Sequence, residues 1–181
     1  MRSLLWILGI LMLVTAPAVA QDTPKIEIFG GYSYLRVNTG GTGINLNGWN
    51  ASVQGNVNNW FSVVGDFSGH YGSVELAPGV SLDVNNHAFL FGPRISCRKH
   101  ERFTPFAHVL LGGARNKFSA QGLSSSDTAF AAALGSGVDV KVSDRIALRL
   151  FQADYVLTRF GSDTQNNFRL STGLVLRLGQ K

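Results

Sequence analysis

The sequence predicts an all-β protein, an eight-stranded antiparallel up-and-down transmembrane β-barrel. Three observations carry that expectation. From residue 25 onward, apolar and polar residues alternate with period two in segment after segment, as strands with two different faces require. Short polar connections interleave with long ones. Beyond Val14 no apolar stretch approaches the about 20 residues of a membrane helix. Only 15% of the 181 residues are charged, and glycine occurs 21 times. A chain of this kind can enter a bilayer only as closed strands, because helices and closed barrels alone satisfy every backbone group there.

The first residues stand apart. Arg2 gives a positive start, the run LLWILGILMLV (4–14) is apolar throughout, and Ala18-Val19-Ala20 offers the small-x-small pattern of a peptidase site. Residues 1–20 are therefore expected to be a cleaved signal peptide, and residues 21–181 one β-barrel domain. Cys97 is the only cysteine, which excludes a disulfide or a multi-cysteine metal site within one chain. The net charge of +5 is mild and contains no run of like charges, so no nucleic-acid partner is expected.

Strand one, 25–36, sets Ile26, Ile28, Gly30, Tyr32 and Tyr34 against Glu27, Gly31 and Ser33. A Gly- and Thr-rich loop (38–43) leads to strand two, 46–57, where Trp49, Ala51, Val53 and Val57 oppose Asn50, Ser52, Gln54 and Asn56. Asn58-Asn59 is a tight turn signal. Strand three, 60–71, places Phe61, Val63, Phe67 and Tyr71 against Ser62, Asp66, Ser68 and His70. A long loop, 72–85, contains Pro78-Gly79. Strand four, 86–97, opposes Phe89, Phe91, Pro93 and Ile95 to Ala88, Gly92, Arg94 and Ser96, and a charged turn follows at 98–102.

Strand five, 103–114, has Phe103, Ala107, Val109 and Leu111 on one side, with Thr104, His108 and Gly112 on the other. After a polar loop (115–127), strand six, 128–142, opposes Phe130, Ala132, Leu134, Val138 and Val140 to Ala131, Ala133, Gly135, Gly137, Asp139 and Lys141. Ser143-Asp144 turns the chain. In strand seven, from Ile146, the parity flips between Arg149 and Asp154. A β-bulge near Gln152-Ala153 is expected, since the alternative leaves a carboxylate in lipid. A fourth polar loop (161–167) precedes strand eight, 168–178, with Phe168, Leu170, Leu174, Leu176 and Leu178 against Arg169, Ser171, Gly173 and Arg177. The order of short and long connections places both chain termini in the periplasm and four loops outside.

Which face meets hydrocarbon separates this reading from a soluble, lipocalin-like barrel. The apolar face is filled on nearly every strand, with aromatics near strand ends. The opposite face carries Gly, Ser, Asn and isolated charges, which suit the narrow bore of eight strands. The segments IEIFGGYSYL, FLFGPRIS, FAHVLLGGA, ALGSGVDVKVSDRIALRLFQADYVLTRF and NNFRLSTGLVLRLG resemble the small outer-membrane β-barrel domain family, the OmpA-like eight-stranded barrels. The resemblance spans residues 25–179. It implies the barrel fold and a place in the bacterial outer membrane, with insertion by the barrel-assembly machinery, and is weak for any activity. The ending Leu178-Gly179-Gln180-Lys181 departs from the aromatic terminus such barrels often carry.

Nine charged residues fall on the polar face and are expected as structural, paired charges plugging the bore: Glu27, Asp66, Arg94, Asp139, Lys141, Arg149, Asp154, Arg169 and Arg177. Counting from the turns sets Asp139 level with Arg149, Asp66 with Arg94, and Glu27 with Arg177. Asp66, Ser68 and His70 share one face, but residues two apart on a strand lie about 6.5–7 Å apart, too far for a relayed contact. No catalytic residue is therefore assigned. His108 has no second His or Cys at ligand spacing, so no metal or cofactor is expected. Arg36, Arg115, Lys117 and Arg159 cluster at the outer strand ends, either as contacts to lipopolysaccharide phosphates or as solvated loop charges. The expected function is that of a monomeric, non-enzymatic outer-membrane protein with a structural or surface-interaction role. The alternatives are a narrow porin-like channel and a lipid-modifying enzyme.

Overall fold

The computed structural model of the chain describes residues 23–39, 42–77, 80–120, 123–160 and 163–179. The expected signal peptide, residues 1–20, lies outside the described residues. Eight strands follow one another: β1 (Ile26–Thr39), β2 (Thr42–Asn56), β3 (Phe61–Ala77), β4 (Val80–Ser96), β5 (Phe103–Ala120), β6 (Leu123–Lys141), β7 (Ile146–Phe160) and β8 (Asp163–Leu178). Each pairs antiparallel with the next, and β8 pairs with β1, closing the barrel.

The short connections, 57–60, 97–102 and 142–145, lie at one end and are tied to the wall by backbone bonds. Asn56 N donates to Lys25 O (2.9 Å), Lys141 N to Arg102 O (2.8 Å) and Arg177 N to Arg145 O (2.8 Å). Asn58 Oδ1 accepts from Trp60 N and Phe61 N, the local bond that makes Asn a turn former. By the usual asymmetry of such barrels this end is periplasmic.

At the other end the structure corrects the sequence reading. The segments expected as long loops are largely strand, so that β3 and β4 have 17 residues each, β5 18 and β6 19. A tilted strand needs only about 9–11 residues to cross a bilayer. The ladders therefore continue past the membrane. There the outer face meets water instead of lipid and need not be apolar, so a paired strand is written in the residues of a loop.

The bulge in β7 also lies earlier than expected. Val138 stands opposite Phe151 and Asp139 opposite Arg149, which leaves Leu150 as the extra residue. On the other side Arg149 faces Gly173 and Gln152 faces Ser171. Leu150 and Phe151 both point outward. Arg149 and Gln152 are both buried and an odd number of residues apart, so one extra residue must fall between them. The adjacent apolar pair is where it costs least. Thr172 Oγ1 donates to Arg149 O across the bulge (2.9 Å), satisfying a carbonyl the ladder leaves free.

The barrel is inverted relative to a soluble protein. Leu134 is 62% exposed, Leu174 55% and Phe89 52%, whereas Arg94, Arg149 and Arg169 are each 1% exposed. The interior is not solely polar, however. Val64, Leu90, Leu110 and Val156 form an inward apolar layer. Phe29, Ala147 and Val175 form another nearer the periplasmic end, and Leu35, Leu46 and Val84 a third toward the opposite end. The charges are sandwiched between these layers, in a medium where an unpaired one is costly.

Candidate functional site in the barrel interior

Alternation places the inward groups, and closure of the sheet brings those from distant strands together. Arg169 on β8 is the centre. Its Nε donates to Asp154 Oδ2 (2.8 Å), and its Nη1 donates to Asp66 Oδ1 (2.7 Å) and Ser68 Oγ (3.2 Å). Asn50 Nδ2 supports Asp66 Oδ2 at 3.0 Å. Asp154 also accepts from Gln152 Nε2 (2.9 Å), whose Oε1 accepts from Arg149 Nη1 (2.6 Å). Arg149 grips Asp139 with two bonds, Nε to Oδ1 at 2.8 Å and Nη2 to Oδ2 at 3.1 Å, the fork geometry that favours arginine over lysine.

Arg94 has no carboxylate partner among the described residues. Its Nη1 donates to Gln54 Oε1 (2.7 Å), its Nη2 to His108 Nδ1 (3.1 Å), and its guanidinium lies 4.1 Å over the Phe106 ring. A guanidinium only donates, so His108 Nδ1 accepts. The proton therefore sits on Nε2, which donates to Asp154 Oδ1 at 2.8 Å. His108 is neutral in this arrangement. Three aspartates then balance three arginines.

The expected site residues fall into place as follows. Asp139 and Arg149 are cross-strand partners, as are Glu27 and Arg177. Asp66 and Arg94 are not: Asp66 stands opposite Leu90 and Arg94 opposite Ser62, so the register of β3 on β4 offsets them along the strands. Arg169, reaching across the bore, takes Asp66 instead. Lys141 is no part of the plug. It lies at the periplasmic rim, where the bore opens to water, paired with Asp144 at 2.7 Å. That bond holds the exposed Asp144 carboxyl below the usual carboxylate range.

Asp66, Ser68 and His70 disperse to separate partners. The first two bind Arg169, and His70 Nε2 is 2.8 Å from Ser33 Oγ, with Nδ1 lacking a protein partner. No carboxylate orients the imidazole toward a hydroxyl, as nucleophilic chemistry would need. Among the described residues no group of three His, Cys, Asp or Glu is placed to hold a metal.

Other participants were not singled out in the sequence. Gln54 and Asn50 sit on the polar face of β2 and signal themselves only as inward amides. Gln152 is masked by the bulge. Arg98 belongs to a turn, yet it reaches Glu27, 71 residues away in sequence. Above the plug, Arg169, His70, Leu90 and Val156 line a cavity of about 20 Å³, room for about one water.

Arg36, Arg115, Lys117 and Arg159 are exposed on the outward face toward the outer strand ends. Arg115 lies between His87 and Thr128 in the ladder, and Arg159 lies beside Phe130. Tyr71 Oη and His87 Nε2 are 3.1 Å apart just beside them. Aromatics below and cations above form a belt of the sort found at a membrane surface.

The sequence matches the model of the outer membrane protein beta-barrel domain over residues 7–175. The chain belongs to that family. Solved members of the fold are similar to it. The attachment invasion locus protein Ail of Yersinia pestis, in complex with the heparin analogue sucrose octasulfate, has a TM-score of 0.61 at 22% identity, covering 84% of this chain and 99% of that one. Neisserial surface protein A gives 0.67 at 12% identity, covering 85% and 97%. OprG of Pseudomonas aeruginosa gives 0.54 at 9%, covering 90% and 99%. No curated protein matches the chain in sequence. This outer-membrane barrel thus shares its architecture with surface proteins while diverging in sequence.

Proposed function

We propose that this protein is a non-enzymatic integral outer-membrane barrel with a structural or surface-interaction role, closed to ions and held at lipopolysaccharide by its outer cations. The filled bore carries the first part. Arg169 spans from β3 to β7, apolar layers pack above and below the charges, and the cavity beside Arg169 and His70 has room for about one water. A closed ladder exposes no sheet edge, so the wall needs no second copy, which supports a monomer inserted by the barrel-assembly machinery. Reconstituted in planar bilayers, the protein should give no steady conductance. Steady unitary openings would replace this reading with a narrow channel.

The partner reading rests on Arg36, Arg115, Lys117 and Arg159, which stand outward at headgroup depth with aromatics beneath them. A polyanion on a barrel of this fold has a precedent in Ail with sucrose octasulfate. Each basic side chain near an anionic membrane surface contributes about 1 kcal/mol. Combining Arg115→Glu, Lys117→Glu and Arg159→Glu should therefore lower lipopolysaccharide affinity by about 100-fold or more. Unchanged co-purification of lipopolysaccharide would leave these residues as solvated charge only.

A further inference from the structure

The plug is electrically balanced, but the periplasmic mouth is not. There, among the described residues, a single carboxylate, Glu27, faces the buried guanidinium of Arg177 and the partly buried one of Arg98. Arg98 Nη2 lies 2.9 Å from Oε2 and Nη1 3.3 Å from Oε1; Arg177 Nε lies 3.2 Å from Oε1 as an ion pair, off the hydrogen-bond direction. Gln54 Nε2 (2.8 Å) and Asn56 Nδ2 (3.3 Å) also donate to Oε2, so the carboxylate has about as many donors as it can accept. Arg177 Nη2 and Arg98 Nε remain, shielded from solvent and without an acceptor among the described residues. Lys25, Lys99, Arg102 and Arg145 are exposed at the same end. The other carboxylates described there are Glu101 and Asp144, and Lys141 engages Asp144.

We propose that this mouth is a binding site for a phosphate-class oxyanion, gripped by Arg98 and Arg177 and drawn in by Lys25, Arg102 and Arg145. A buried excess positive charge is costly until an anion compensates it. Guanidinium forks match tetrahedral oxyanions better than they match a spherical halide. A low-dielectric opening ringed by one sign of charge focuses the field that recruits the ligand. Arg98 sits on the 97–102 turn rather than in the wall, so it can pivot to admit the anion while every ladder stays intact. The phosphate is either free in the periplasm or carried by a phospholipid of the facing leaflet. Lys25, Arg102 and Arg145 each precede an exposed, lipid-facing residue, Ile26, Phe103 and Ile146, which sets them at headgroup level.

The test is titration of the folded protein with inorganic phosphate at constant ionic strength, in zwitterionic micelles and in nanodiscs of phosphatidylcholine or phosphatidylglycerol. Saturable one-to-one binding is expected in micelles. It should weaken by about ten-fold or more in Arg98→Gln, the loss of one charge-assisted contact. Glu27→Gln, which removes the competing negative charge, should tighten it. Asp127→Asn, at an exposed position at the opposite end of the barrel, should leave it unchanged. Gel mobility checks that each variant remains folded. If the source is a headgroup, phosphate affinity drops in phosphatidylglycerol discs; if it is free phosphate, the two discs agree. Either result supports the site. Absence of saturable binding in both micelles and phosphatidylcholine discs, or an affinity indifferent to Arg98→Gln, would overturn it.

Discussion

Arg169→Met is expected to destabilise the folded barrel by about 3–5 kcal/mol, the loss seen when one partner of a buried charge pair is removed. Arg169 is the group shared by Asp66 and Asp154, and all three are fully enclosed. Without it two carboxylates stay in the bore with only neutral donors, Asn50, Gln152 and the neutral His108, against them. Much of the penalty therefore belongs to the orphaned aspartates rather than to the lost bonds. The double variant Arg169→Met/Asp66→Asn should recover most of it, because Asp139 and Asp154 then balance Arg94 and Arg149 and Asp154 keeps its bonds from His108 and Gln152. Urea unfolding in detergent, followed by heat-modifiable gel migration, measures both. A single variant within about 1 kcal/mol of the parent would mean that the plug is not held by charge pairing.

The contrast shows which part of the molecule can be read from sequence. Partners that share a short hairpin follow by counting outward from its turn, which is how Asp139 meets Arg149 across the 142–145 connection. Facing is also local: Glu27 and Ile28 are neighbours in sequence, and one is buried while the other is exposed. Partnership across the bore is not local. Asp66 and Arg169 are 103 residues apart. Whether they meet depends on strand tilt and shear, which no single strand encodes. Pairing Arg94 with Asp66 uses neighbouring strands alone, whereas the network of Asp66 links β3, β7 and β8.

Inward apolar residues are a different case. Leu90, Leu110 and Val64 share the parity of Arg94, His108 and Asp66, so alternation puts them inside, but their gathering into one layer across the strands is tertiary. Strand length was hidden too. Where β3 through β6 leave the bilayer, the constraint that writes the alternation disappears while the backbone ladder continues. The bulge at Leu150 and Phe151 was visible as a parity change, but its exact place is set by burial of Gln152, whose role in the plug is tertiary.

Closure supplies the second large effect. At the seam between β1 and β8, Gly31 stands directly opposite Gly173. Both are on the concave side, where eight strands bend tightly enough that side chains converge. A Cβ on Gly31 would lie 2.0 Å from Thr172 O, and one on Gly173 would lie 2.3 Å from Gly30 O. Those are backbone atoms, which cannot rotate away as a flexible side chain would. Gly30, one residue along and on the lipid face, has nothing within 4 Å of such an atom. Gly31→Ala and Gly173→Ala should each therefore cost about 1–3 kcal/mol by overpacking. The double variant should differ from the sum, since both strain one ladder. Gly30→Ala should stay within about 0.5 kcal/mol of the parent. Because this ladder alone turns an open sheet into a barrel, the strain exposes the edges of β1 and β8 in a medium that cannot solvate them. Refolding into detergent and scoring the fraction of heat-modifiable species separates the cases. Equal yields for Gly31→Ala and Gly30→Ala would show that the seam relaxes without strain.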